Sequence, residues 1–211
     1  MVQESKKQII KVLSLGELLL QADTQEDIQN LMDLLSSFSC IQDKDIENFL
    51  HNRAIDFERI NKSRTYILCD DDILNKEGRL VIMGYFSVAL KVLNLPENFS
   101  NRSRKNLDGI SANFHHQKIV SIPCYLIGQL AKNSAIPDEQ SISGAELIKC
   151  AMSVICSAET LVGGRNVLIE CHNEQKLLKF YTDNGFETFA NISYGDIPMV
   201  QMLRILCSAT L

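Results

Sequence analysis

The chain predicts a mixed α/β sheet covered by helices on both faces. One ground is the order of its patterns: helices first, then a meander of strands, then strand–helix–strand–helix–strand. The other is composition. At 45% hydrophobic and 22% charged over 211 residues, the chain is too polar for a membrane protein and too apolar for a disordered one. Its length suits one medium-sized domain, with or without an appendage.

From Ser5 to about Ser37 the pattern is helical. Ile9, Ile10, Val12, Leu13, Leu18, Leu19 and Leu20 form one apolar set, part of which also reads as a short strand. Thr24 before Gln25, Glu26 and Asp27 is an N-cap for a second segment. A third helix is expected from about Asp45 to Asn61, because Ile46, Phe49, Leu50, Ala54, Phe57 and Ile60 recur at helical spacing. Strand texture follows: Thr65 to Cys69 stops at an acidic turn, Asp70 to Asp72, and Leu80 to Val92 returns as its hairpin partner. Between Asn94 and Ser121 lies a polar stretch without clear period, which reads as a lid or a disordered segment.

The next strand is Cys124 to Lys132, and an acidic loop from Ile136 leads into a helix. Ser143 and Glu146 have the spacing of a capping box, and Leu147, Ile148, Ala151, Val154, Ile155 and Ala158 make the helix's apolar stripe. Gly163 and Gly164 end it. Asn166 to Cys171 reads as a strand and Glu174 to Asp183 as a helix, with Gly185 placed for a left-handed C-terminal cap. Strands at Phe186 to Phe189 and Met199 to Leu206 complete the pattern.

Several function classes are excluded at this level. No apolar run is long enough to span a bilayer and the N-terminus lacks a signal-peptide pattern, so neither membrane insertion nor secretion is expected. The seven cysteines are odd in number, scattered and without a CxxC pair, which points to buried thiols of a reducing compartment and a cytoplasmic location. A net charge of −5 argues against a general nucleic-acid binder. No GxSxG elbow suggests covalent catalysis, and His115-His116 has the wrong spacing for a helical metal pair, so no metal is expected.

Three segments carry a family resemblance: Leu126 to Asn133, the helix start from Ser143 to Ile148, and Phe180-Tyr181-Thr182-Asp183-Asn184-Gly185-Phe186. In order and spacing they resemble the central strand, cofactor helix and C-terminal signature of GNAT N-acetyltransferases. Phe38 to Cys40, Ile46 to Leu50, Ser63 to Tyr66 and Met83 to Ser87 resemble the branch that includes acetyltransferase toxins of toxin–antitoxin modules. The resemblance covers roughly Phe38 to Leu206. It implies a mostly antiparallel GNAT sheet, with residues 1–37 as an N-terminal helical extension and residues 38–211 as the acyltransferase domain. It also implies acetyl-CoA as acyl donor and direct transfer to an amine of an unidentified acceptor, either a small molecule, a protein or aminoacyl-tRNA. A homodimer is implied by resemblance alone. The alternative is a degenerate, non-catalytic GNAT fold acting as a protein-binding or regulatory module.

Site residues follow residue by residue. A helix N-terminus offers unpaired amides and partial positive charge to a pyrophosphate, and Ser143, Gly144 and Ala145 form such an end, with Gln140 in the polar position of the preceding loop. The family's loop carries an Arg or Gln and two glycines; here it reads Asp138-Glu139-Gln140-Ser141-Ile142-Ser143-Gly144, whose acids oppose an anion. Leu130 and Ala131 match the positions whose backbone groups bond the pantetheine and polarise the thioester. Glu174 stands at the family's usual Asn or Asp position. Tyr181 matches the tyrosine that protonates the leaving thiolate as a general acid. Glu170 and His172 are candidates for the base, with neither assigned. Asn101 to Lys105, with His115, His116 and Lys118, is locally basic and reads as a solvated loop, a contact for an anionic acceptor or a protein-binding segment.

Overall fold

The computed structural model describes residues 9–206. Residues 5–8 of the predicted helical stretch, the thiol at Cys207 and the side chain of Glu139 lie outside the described residues. In chain order the elements are β1 (Ile10–Ser14), α1 (Leu15–Gln21), α2 (Gln25–Ser36), α3 (Lys44–Asn52), α4 (Ala54–Arg59), β2 (Arg64–Asp70), α5 (Asp71–Glu77), β3 (Ile82–Asn94) and α6 (Asn101–Asp108). They continue with β4 (Asn113–Phe114), β5 (Gln117–Lys118), β6 (Ser121–Lys132), α7 (Gly144–Val162), β7 (Asn166–His172), α8 (Gln175–Asp183), β8 (Glu187–Tyr194) and β9 (Ile197–Ile205). The main sheet has seven strands in the order β1-β2-β3-β6-β7-β9-β8, mixed and mainly antiparallel, with β6 and β7 parallel. The chain divides into two compact units, residues 1–87 with 129–151 and residues 88–128 with 152–211.

In the first unit the described residues open with β1, the short strand that part of the apolar set also reads as, and the helical pattern continues in α1 and α2. β1 pairs antiparallel with β2, Ile10 opposite Asp70 and Ser14 opposite Tyr66. All five of its residues are half-buried, a pattern that pairing over fifty residues away decides and local propensity does not. Ser14 then caps α1, its Oγ accepting from the Glu17 amide at 3.4 Å. Thr24 caps α2 as predicted and closes a capping box with Asp27.

The predicted helix from Asp45 to Asn61 is broken in two at Arg53 (φ −126°, ψ −26°). Phe49 and Phe57 would stand about 12 Å apart along a straight helix; the break brings their rings edge to face at 5.2 Å in the core. The predicted acidic turn is the start of α5. The Asp70 carboxylate accepts from the amides of Asp72 and Ile73, and two further acids fill the positive first turn. Leu15, Leu35, Phe38, Leu50, Ile67, Ile82 and Tyr85 make the core of this unit.

In the second unit the stretch without clear period contains α6 and the small β4–β5 hairpin, whose turn residues His115 and His116 both have positive φ. α6 keeps only Arg104 and Leu107 buried, so its helical period is nearly silent in apolar residues. Leu93, Leu95, Ile122, Cys124, Leu168 and Leu203 form the core, with Phe99, Phe189 and Ile205 packed against it. β8 and β9 pair antiparallel with a bulge at Phe189, since Thr188 faces Met202 and Ala190 already faces Gln201.

Candidate functional site

Leu130, Ala131, Gln140, Ser143, Gly144 and Ala145 fall in the first unit, Glu174 and Tyr181 in the second. In the first unit Asn133 fixes the end of β6: its side chain donates to Ile82 O at 2.7 Å and accepts from the amides of Ser39 and Ala135, while its own amide donates to Met83 O. The strand carrying Leu130 and Ala131 is thereby held against β3. Gly84 permits this approach, because a Cβ there would lie 2.9 Å from the Ala131 carbonyl oxygen and 3.4 Å from Leu147. Beside Leu130, the buried Gln129 Oε1 has no hydrogen-bond partner among the described residues.

A turn of 3-10 helix at Asp138–Gln140 leads to the N-terminus of α7, where Ser143 and Ala145 are exposed and Gly144 is half-exposed. The capping box is closed. Ser143 Oγ accepts from the Glu146 amide at 3.2 Å, and Glu146 Oε2 accepts from the Ser143 amide at 3.1 Å and from its hydroxyl at 2.6 Å. The Gly144 and Ala145 amides make no protein hydrogen bond among the described residues. This end therefore fits an anion at two amides, with the Glu146 carboxylate competing for the same positive end of the helix.

In the second unit Glu174 is the N-cap of α8 and makes no side-chain capping bond. Tyr181 is 7% exposed, beside Phe180 and Phe186 and near the Cys171 thiol. Burial, and secondarily Cys171, push its phenol well above the usual range, so it stays protonated across the physiological span. Its hydroxyl makes no protein hydrogen bond among the described residues. The Tyr-x-x-x-Gly-Phe segment also has a local structural cause. The Phe186 amide donates to Tyr181 O and the Gly185 amide to Thr182 O, Gly185 sits at φ +83°, and the Phe186 ring meets Tyr181: a Schellman motif with its hydrophobic contact.

Glu170 is held in a network that the sequence does not announce. Lys91 Nζ donates to both its oxygens at 2.7 and 2.6 Å, Tyr194 Oη at 2.8 Å and Gln201 Nε2 at 2.8 Å. Burial alone would raise the carboxyl, but these bonds outweigh it and hold it below the usual carboxylate range. Such a carboxylate is a weak base. A second acid, Glu58, is buried in the first unit with Arg64 at 2.8 Å and the Thr65 amide as partners. The only signal for either pair is an acid inside an apolar period.

No helix among the described residues is long and apolar enough to cross a membrane, and no three His, Cys, Asp or Glu side chains there come together as a metal group. No family model matches the chain, and no curated protein does. Solved structures do. A tyrosine-to-phenylalanine variant of the AtaT toxin, bound to the C-terminus of the antitoxin AtaR and acetyl-CoA, is 19% identical with a TM-score of 0.59, over 93% of this chain and 92% of that one. AtaT complexed with acetyl-methionyl-tRNAfMet is 20% identical at TM-score 0.59, over 91% and 94%. A tyrosine-to-phenylalanine variant of KacT is 16% identical at TM-score 0.59, over 92% and 94%. The chain shares the fold of these structures over nearly its whole length.

Proposed function

We propose that the chain is an acetyl-CoA-dependent N-acetyltransferase that passes the acetyl group directly to an amine. Its fold is shared over nearly its whole length with a toxin solved with acetyl-CoA. The observation that carries the reading beyond fold is Tyr181: a phenol kept neutral by burial, its hydroxyl uncommitted to any acceptor among the described residues.

In the proposed reaction the amine nitrogen forms a bond to the thioester carbonyl carbon, the carbon–sulfur bond breaks, and the amine's proton replaces the one given to the departing sulfur. The amides of Gly144 and Ala145 hold the pyrophosphate. The backbone of Leu130 and Ala131 bonds the pantetheine arm, whose amides are donors. Gln140 and Ser143 line the approach from the first unit, and Glu174 opens the helix that carries Tyr181. Tyr181 donates to the thiolate as it forms. Since its phenol is harder to ionise than a thiol, it acts chiefly by hydrogen-bonding the developing charge, a contribution of about 10²-fold. Acceptor proton removal is left to water or to a base other than Glu170, which is already engaged by Lys91.

One observation favours the second reading, a GNAT fold retained as a binding module: the closed Ser143–Glu146 box occupies part of the helix end that the anion needs. Calorimetric titration with acetyl-CoA decides between them. Binding to wild type that is lost in Gly144→Glu supports the enzyme. A folded wild type whose thermal stability does not rise in saturating acetyl-CoA refutes it, because ligand at a hundred times its Kd adds about 2.7 kcal/mol. The acceptor screen includes small amines, protein N-termini and aminoacyl-tRNA, the last because AtaT is solved with an acetylated one.

A further inference from the structure

We infer that the second unit carries a phosphate-binding pocket between the exposed face of α6 and Arg165, separate from the proposed acetyl-CoA site. The pocket encloses about 520 Å³ and is lined by Arg102, Ser103, Lys105, Asn106, Gly109 and Arg165. Positions 102, 105, 106 and 109 follow the spacing of one helix face, and all four are exposed. The lining supplies three cations, a hydroxyl and an amide, and no carboxylate. The only acid on α6, Asp108, is turned to the amides of Ile110 and Ser111. Among the described residues Arg102, Lys105 and Arg165 have no ion-pair partner, in a protein of net charge −5.

Two further observations point to a ligand. Among the described residues Nε of the half-buried Arg165 has no hydrogen-bond partner, so the protein does not use up the donors of this guanidinium. Gly109, at φ +97°, leaves room for the guanidinium: a Cβ there would overlap Arg165 Nη1 and come within 2.8 Å of Cζ. The glycine thus both ends α6 and admits the fork of Arg165 against it. Three cations gathered without a counter-ion repel one another, and a phosphate removes that repulsion while accepting bidentate bonds from the arginines. Arg165 follows the C-terminal end of α7, whereas the proposed pyrophosphate residues open its N-terminal end. The inference therefore does not depend on the acetyltransferase reading.

The ligand chemistry is a phosphate group, borne by a free polyphosphate or by a phosphodiester backbone. Calorimetry of the full chain with inorganic tripolyphosphate, and separately with a short single-stranded RNA, at about 50 and 200 mM salt distinguishes the two sources. A salt slope of only two or three phosphates is expected, since the cationic lining has three members. Arg165→Ala and the doubly reversed Arg102→Glu/Lys105→Glu should each weaken binding at least tenfold, with the acetyl-CoA-induced thermal shift unchanged. The double variant alters exposed side chains only, so it decides the matter should Arg165→Ala not fold. The inference is overturned if neither probe binds at low salt, if the variants bind as wild type does, or if they abolish the acetyl-CoA response as well. Wild type that binds a probe but not acetyl-CoA leaves this pocket standing and removes the proposed function.

Discussion

The two sides of α6 treat the same side chain in opposite ways. On the buried side Arg104, 1% exposed, is saturated: its guanidinium donates to the carbonyls of Phe99, Ile119, Pro96 and Glu97 and lies over the Phe99 ring. On the other side Arg165 leaves Nε without a partner among the described residues. The second unit repeats the contrast in its tyrosines. Tyr125 donates its hydroxyl to Gly163 O, whereas the Tyr181 hydroxyl has no acceptor among the described residues. A buried polar group that the fold satisfies helps to hold the fold, whereas a hydroxyl or guanidinium that the fold leaves without a partner keeps its hydrogen-bonding capacity for a ligand.

The contrast breaks most visibly at Arg104. Arg104→Met should cost about 3 to 5 kcal/mol, because several carbonyls lose their donor at once, and chemical denaturation of the variant measures it. A loss below 1 kcal/mol would mean that the carbonyls find other donors. Next comes Tyr181→Phe, expected to lower the rate of acetyl transfer about 10²-fold, close to 3 kcal/mol in the barrier. Its unfolding midpoint should barely move, since no protein hydrogen bond is lost. Tyr125→Phe should do the reverse, costing about 1 kcal/mol of stability with the rate unchanged. Glu146→Ala sharpens the case of a satisfied group that competes with a ligand: it should cost about 1 kcal/mol through the lost capping box and tighten acetyl-CoA several-fold.

The smallest effect is on acid stability. The folded-state carboxyl of Glu170 is held down by Lys91, Gln201 and Tyr194 against the upward push of burial, so its contribution is present above the unfolded value near 4.5 and is lost as pH falls through the lower folded value. Glu170→Gln should flatten the acid limb of a stability–pH profile below that point. An unchanged slope would assign acid sensitivity elsewhere, first to Glu47, whose carboxyl Lys44 and the Cys40 amide lower to about 2.

These differences also mark what the sequence discloses. Ser143 with Glu146, Thr24 ahead of α2 and Gly185 after α8 are legible because capping chemistry is local, decided within a few residues. β1 is legible only as one of two readings, helix or short strand, because β2 far along the chain decides between them. α6 escapes notice because Arg104, not an aliphatic residue, fills its buried face, and the pocket escapes with it because Arg165 is 60 residues from Lys105. The break at Arg53 is set by two phenylalanines meeting, which a periodic pattern cannot express. At the candidate site the segment containing Tyr181 is readable, but whether a hydroxyl is bonded or free is a property of the fold.

The bulge at Phe189 has a consequence for behaviour in a crowded solution. β8 is an outer strand of the sheet, and an outer strand with a regular ladder invites another chain to add itself. The extra residue interrupts that ladder midway and lets Phe189 pack against Phe99, their ring centroids 5.5 Å apart, rather than offer an aromatic to a neighbour. One inserted residue thus makes the exposed rim a poor template for self-addition, and its removal would trade a small local distortion for a tendency to aggregate.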